Sequence, residues 1–209
     1  MIPVKVLAVR YLANASPALA RGLGAPEGYP SLGMLTTDCD DATYIALDAA
    51  TKAADVEVAY GRSFYAGAAN ASTPHAGEVI GILAGATPGA VKSGMEAALA
   101  ALGRLGFEEV GGVPYLAHTV ASVGSYLAKE AGIPRGSALA YLIAPPLEGM
   151  YALDAALKAA DVKLCKLYAP PSETNFGGGL LSGSQSACAA ACEAFAGAVA
   201  EVAGRPIES

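Results

Sequence analysis

Tryptophan is absent from the 209-residue chain, and histidine and cysteine are scarce, with two His and four Cys. Neither His75 nor His118 has a neighbour at zinc-ligand spacing, so no local zinc motif is written into the chain. Cys39, Cys165, Cys188 and Cys192 make no disulfide framework, and Cys188 and Cys192, one helical turn apart in an apolar stripe, read as core packing. Charge is scarce too. Charged residues make up 15%, the net charge is −6, and no basic cluster interrupts it. That balance, with a pI near 4.9, excludes nucleic acid as an expected partner. No uninterrupted apolar run reaches the ~18–20 residues of a membrane span. The opening M-I-P-V-K-V-L-A-V-R reads as a strand without the apolar core and cleavage site of a signal peptide. The expectation is a cytosolic protein that neither crosses a membrane nor binds nucleic acid.

What is present is apolar side chain, at 54%, with a mean hydropathy of +0.41. So greasy a chain of this size is expected to bury surface between subunits. It also repeats itself. I-A-L-D-A-A-T-K-A-A-D-V at 45–56 returns as Y-A-L-D-A-A-L-K-A-A-D-V at 151–162, identical at 10 of 12 positions and offset by 106. A repeat near half the chain length is the mark of an internal duplication. Two domains are expected, 1–106 and 107–209, with a boundary near Leu105–Gly112 where both patterns break.

Each copy reads β-α-β-α-β-loop-β-α. In the first, a strand over 4–13 precedes a short helix stopped by Gly24 and Pro26, then a strand at 31–37 and the repeat helix at about 41–54. A strand at 56–60, a long loop at 62–75, a strand at 78–84 and a helix opened by Thr87-Pro88 complete it. The second copy follows with elements at 115–123, 125–131, 137–144, the repeat helix, 162–167, a loop at 169–179, 180–182 and a last helix ending at Gly204. The fold class is therefore α+β. Lys52 and Lys158, each paired at i, i+4 with the Asp before it, read as solvated or subunit-edge groups.

Where the copies differ, function is sought. Asp38, Cys39, Asp40 and Asp41 stand against Ala144, Pro145, Pro146 and Leu147. Clustered carboxylates repel one another, and a cation relieves the repulsion, so an ammonium compound or a divalent metal suits them. Glu78, across the long loop, is placed to converge on them. The alternative is that Asp40 or Asp41 caps or charges a helix start. The long loops also differ, and Phe64, Tyr65 and Phe176 could plug an opening where copies meet, or the loops could simply be surface connections. Gly177-Gly178-Gly179 lacks the Lys-Ser/Thr of a phosphate cradle. Ser184 and Ser186 read as caps, and G-R-S-F-Y-A-G lacks the context of a nucleophile elbow. No catalytic residues are expected.

The run G-I-L-A-G-A-T-P-G-A-V-K-S-G-M-E-A-A at 81–98 resembles the end of a bacterial microcompartment shell domain, and A-T-K-A-A-D-V-E-V at 50–58 resembles the part before its pore loop. S-L-G-M-L-T-T-D-C-D-D, Y-G-R-S-F-Y-A-G-A-A-N, A-Y-L-I-A-P-P-L-E, P-P-S-E-T-N-F and L-S-G-S-Q-S-A-C extend the likeness over nearly the whole chain. The arrangement resembles the tandem, circularly permuted type, closest to its ethanolamine-utilisation branch. The resemblance implies two ferredoxin-like layers per chain and a homotrimeric, pseudohexameric tile in the shell of an organelle within the cytoplasm. It also implies packing against other shell proteins, no enzymatic activity and selective or gated pores. By the same resemblance Asp40, Asp41, Glu78 and Phe107 line a small pore for ethanolamine, with Asp40 and Asp41 the residues for any metal. Phe64, Tyr65, Gly67, Asn70, Thr174, Asn175 and Phe176 form the loops of a central gate. No cofactor is required, a divalent metal or cobalamin being the candidates if one binds. The rival is a soluble tandem α+β sensor of an amine or metal that builds no shell.

Overall fold

A computed structural model describes residues 1–63, 78–170 and 176–207. The chain forms two compact units, one of Pro3–Leu105 with Gly124–Leu127, the other of Met1–Ile2, Gly106–Val123 and Ala128–Ser209.

The first unit is a four-stranded antiparallel sheet covered by helices. Its strands are β2 (Val6–Leu12), β3 (Ser31–Thr37), β4 (Glu57–Ser63) and β5 (Val79–Gly85), in the order β2-β3-β5-β4. The short α1 (Pro17–Gly22) joins β2 to β3, while α2 (Asp40–Ala53) and α3 (Pro88–Leu102) carry the apolar stripes. Those stripes are short in side-chain volume, so the helices can sit close to the sheet. A Cβ on Gly33 would lie 2.7 Å from Val91, and one on Gly81 would lie 2.8 Å from Leu47. Leu47, Met95 and Ala98 are fully buried there. Thr87 caps α3 by accepting the Ala90 N–H at 3.1 Å, with Pro88 at the first helical position.

The second unit repeats this programme and adds to it. Its six-stranded sheet runs β1-β6-β7-β8-β10-β9. The strands are β1 (Ile2–Pro3), β6 (Gly106–Val110), β7 (Val113–Val120), β8 (Ala138–Ala144), β9 (Val162–Tyr168) and β10 (Gly177–Gly183). The 105–112 stretch is thus a strand and a hairpin turn rather than a bare linker. Gly111 and Gly112 take φ of 56° and 82°, the double positive φ that a two-residue hairpin needs. Gly177–Gly179 belong to β10 and not to the loop before it. Small residues are required because a Cβ on Gly178 would collide with the Leu142 carbonyl oxygen.

The helices here are α4 (Ser125–Ala131), α5 (Pro146–Ala159) and α6 (Gln185–Gly204). Residue for residue α6 is long and apolar enough to cross a membrane, at 20 residues and a mean hydropathy of 1.4. Its stripe of Cys188, Cys192, Phe195 and Val199 is instead buried against Ala140, Leu142 and Leu153, the role of a core helix. Burial pushes the thiols of Cys188 and Cys192 up, as befits packing groups.

The twin Asp/Lys pairs are not equivalent. Asp154 and Lys158 are solvated, 63% and 75% exposed, with their charges 2.6 Å apart. Asp48 is fully buried in the first unit. Its Oδ2 accepts the Gly124 N–H at 2.7 Å and its Oδ1 the Leu127 N–H at 2.9 Å. Only Lys52, 3.3 Å away, matches the solvated reading, with its side chain 36% exposed. The difference arises because residues 124–127 of the second copy fold into the first unit, and identical sequence meets different surroundings.

Candidate functional site: a carboxylate cluster at one sheet edge

Strand register assembles the cluster. Val79 pairs with Thr37 on one side and with Ser63 on the other, so the ends of β3 and β4 meet the start of β5. Asp38 follows Thr37, Glu78 precedes Val79, and the Glu78 N–H donates to the Thr37 carbonyl oxygen at 2.7 Å. The first turn of α2 then brings Asp40 and Asp41 to the same edge.

The helix start is built without those carboxylates as caps. Cys39 occupies the cap position and gives no side-chain cap bond. Its N–H donates to Thr37 Oγ1 at 3.1 Å, and the Thr43 hydroxyl donates to the Cys39 carbonyl oxygen at 2.8 Å. Asp40 Oδ1 accepts the Asp41 N–H at 2.9 Å, and Asp38 Oδ1 accepts the Lys5 N–H at 2.7 Å. Asp40 and Asp41 therefore meet the positive end of the helix dipole, which favours their charge, yet each is only 7% exposed.

Burial prevails at Asp40. It raises the carboxyl above its ordinary range, although hydrogen bonds from the Asp41 amide and the Ser63 hydroxyl pull the other way. Glu78 is raised as well, first by burial and then by the negative fields of Asp40 and Asp38. Burial followed by the same carboxylates pushes the Cys39 thiol up, so it is no nucleophile. Among the described residues, no cation acts on Asp40 or Glu78 to offset this, and no three His, Cys, Asp or Glu side chains are grouped to hold a metal ion.

The structure thus brings Asp40, Asp41 and Glu78 to one edge, as their order in the chain suggested. Phe107 belongs to the other unit, half-buried on β6, with its ring 5.8 Å from that of Phe176. Phe64, Tyr65, Gly67, Asn70, Thr174 and Asn175 lie outside the described residues. Sequence reasoning missed Ser63 and Thr37. The signal for them is the pairing register of three strands, which periodicity alone does not reveal.

The BMC domain profile matches residues 31–113. Over 99% of this chain and 97% of the relative, the sequence is 57% identical to bacterial microcompartment shell protein EutL of Clostridium perfringens. It is 48% identical to EutL of Escherichia coli, over the whole chain and 97% of that protein. The crystal structure of ethanolamine utilization protein EutL from Leptotrichia buccalis superposes with a TM-score of 0.95 at 58% identity, covering 100% of this chain and 98% of that one.

Proposed function

This chain belongs to the bacterial microcompartment shell proteins of the EutL type, and from that premise we propose that three copies form a pseudohexameric tile whose carboxylate cluster lines a small pore for ethanolamine. A shell protein is a structural component of an organelle within the cytoplasm and not an enzyme, and the family assignment leaves a free-standing sensor without support. The tile brings the chain beside other shell proteins.

The observation that supports the pore reading is the burial of Asp40 beside Glu78, which raises the Asp40 carboxyl even though it accepts hydrogen bonds from the Asp41 amide and the Ser63 hydroxyl. A buried carboxylate with an exposed one of like charge beside it gains from a cation, and a small organic ammonium brings one without needing a ligand cage. Ethanolamine adds a hydroxyl that the half-buried Ser63 can hydrogen-bond. An uncharged aldehyde gains nothing from the charge, so the pore discriminates as charged rings do in channels. The two long loops, with Phe176 in the second, form the gate of the central opening. A metal ion is the weaker occupant given the donor set.

Titration calorimetry with ethanolamine on the wild type, Asp40→Asn and Glu78→Gln tests the pore. Binding weakened at least tenfold in both variants is expected, and unchanged affinity would remove the cluster from the site. Sedimentation gives the assembly, expected at three times the chain mass of 20.7 kDa.

A further inference from the structure

The buried Asp48 and the exposed Asp154 occupy the same position of the duplicated helix, and the segments that could cover them are also duplicated. Leu127–Pro134 (L-A-K-E-A-G-I-P) repeats Leu19–Pro26 (L-A-R-G-L-G-A-P). The turns agree in detail. Ile133 N–H bonds to Ala128 O at 3.0 Å as Ala25 N–H bonds to Ala20 O at 3.0 Å. Gly132 and Gly136 have φ of 64° and 86°, matching Gly24 and Gly28 at 79° and 84°. Residues 16–19 are therefore the counterpart of residues 124–127.

Their environments are opposite. Leu127 is 1% exposed, and the backbone of its segment is held by Asp48, with the Ser125 N–H donating to Thr51 Oγ1 at 3.0 Å. Leu19 is 47% exposed, and Ser16, at the start of its helix, makes no side-chain cap bond. All of 16–19 faces outward. One copy of this contact is thus made inside the chain. The other is left unmade, with an exposed segment on the first unit and, on the second, an exposed Asp154 that meets Lys158 alone of the charges described.

We propose that these halves meet between chains: Ser16–Leu19 of one copy docks on the Asp154 face of the next, which accepts the Leu19 N–H and buries the Leu19 side chain. The inference rests on the tile reading and deepens it. The contact is head-to-tail, because each chain presents one segment and one seat, and such contacts close into rings when the rotation allows. The seat differs in detail from its internal twin. Gly124 approaches so closely that a Cβ there would lie 2.7 Å from the Asp48 carbonyl oxygen. Ser16 has that Cβ, so its segment sits further out, and its hydroxyl replaces the Gly124 amide as the second donor to the carboxylate.

The test uses Leu19→Glu, which sets a carboxylate against Asp154, and Asp154→Leu, which removes the acceptor. Both positions are exposed in the single chain, so its fold does not depend on them. Native mass spectrometry is expected to show trimer for the wild type and monomer for each variant alone. Mixed, the variants should give a one-to-one pair of twice 20.7 kDa and no ring. One intact seat and one intact segment remain, on different chains. Hydrogen exchange on the wild type supplies a second readout: the amides of Ala18 and Leu19 should exchange at least tenfold more slowly in trimer than in monomer obtained by dilution. A wild-type trimer with both variants still trimeric, or with free exchange at Ala18 and Leu19, overturns the proposal and leaves the tile standing. A wild-type monomer at all concentrations overturns both.

Discussion

Asp48→Ala is the sharpest test of the claim that duplicated residues have taken on different work. The carboxylate accepts two backbone N–H bonds at 2.7 and 2.9 Å in a place closed to water. Hydrogen bonds to charged groups contribute about 1.5–3 kcal/mol each, and removing one partner of a buried charged set costs about 3–5 kcal/mol. Lys52 adds little, since a pair with one partner in solvent is worth under about 1 kcal/mol. A loss of about 4 kcal/mol is expected, which at this chain length lowers Tm by roughly 8–16 °C. Asp154→Ala, the same substitution in the twin, removes only an exposed i, i+4 pair worth about 0.3–0.5 kcal/mol. Urea unfolding followed by far-UV circular dichroism measures both, at a dilution where chains are separate so that mass action does not enter. Equal losses in the two variants, or a loss below about 1 kcal/mol for Asp48→Ala, would refute the reasoning.

Three further outcomes follow from the same contacts. Asp40 has its carboxyl raised in the fold, so its favourable contribution is complete below the ordinary carboxylate pKa of about 3.9 and is lost as pH rises through the folded value. Asp40→Asn should therefore be more stable than wild type at pH 7 and equal to it near pH 3; a less stable variant at pH 7 would contradict the burial argument. Ethanolamine binding should weaken as pH falls, the loss beginning above the ordinary carboxylate pKa of about 4 because Asp40 and Glu78 are both raised. Calorimetry in buffers of different ionisation enthalpy should show proton release on binding where binding has begun to weaken. In the second unit, Gly178→Ala drives a Cβ into the Leu142 carbonyl oxygen and should cost about 1–3 kcal/mol. Gly197→Ala, in α6 with open space around it, should stabilise by about 0.4–1 kcal/mol; the opposite order of the two in thermal melts would fault the packing described.

The helices and most strands were legible because their signals are local. Thr87-Pro88 opens α3, Gly132 closes the α4 turn, and the stripe through Cys188 and Phe195 marks α6. Strand 31–37 was legible to the residue. What periodicity could not supply was pairing. The β6–β7 hairpin rests on two glycines that read as a linker, and β10 begins in a glycine run that read as loop, because close approach between backbones leaves no hydrophobic pattern. The acidic edge was legible as a difference between copies, but Ser63 and Thr37 join it through strand register, which relates residues far apart in the chain. For the same reason the burial of Asp48 was not legible. Its partners stand 76 and 79 residues away, and nothing in D-A-A-T-K-A-A-D distinguishes it from its solvated twin.

The second copy is also an internal control for the acidic site. Helix α5 begins at the position equivalent to the start of α2, with Pro145 in the cap position and Pro146 at the first turn in place of Cys39 and Asp40. Its strand β8 is buried along its whole length, as β3 nearly is. The same strand-to-helix turn therefore forms without one aspartate. A first-turn acid contributes about 0.3–1 kcal/mol to a helix through the dipole, and up to about 2 kcal/mol where it is partly buried. At Asp40 that gain is opposed by burial, which holds the carboxyl partly toward its neutral form. If helix initiation were the purpose, the Pro-Pro start would do as well without burying charge. Asp40 is thus costly to the fold that carries it, and the cation proposed for the sheet edge would offset that cost. Replacing Asp40 and Asp41 together by the Pro-Leu of the second copy should leave the helix intact by circular dichroism while abolishing ethanolamine binding. A variant that still binds with wild-type affinity would assign the acidic edge to folding alone.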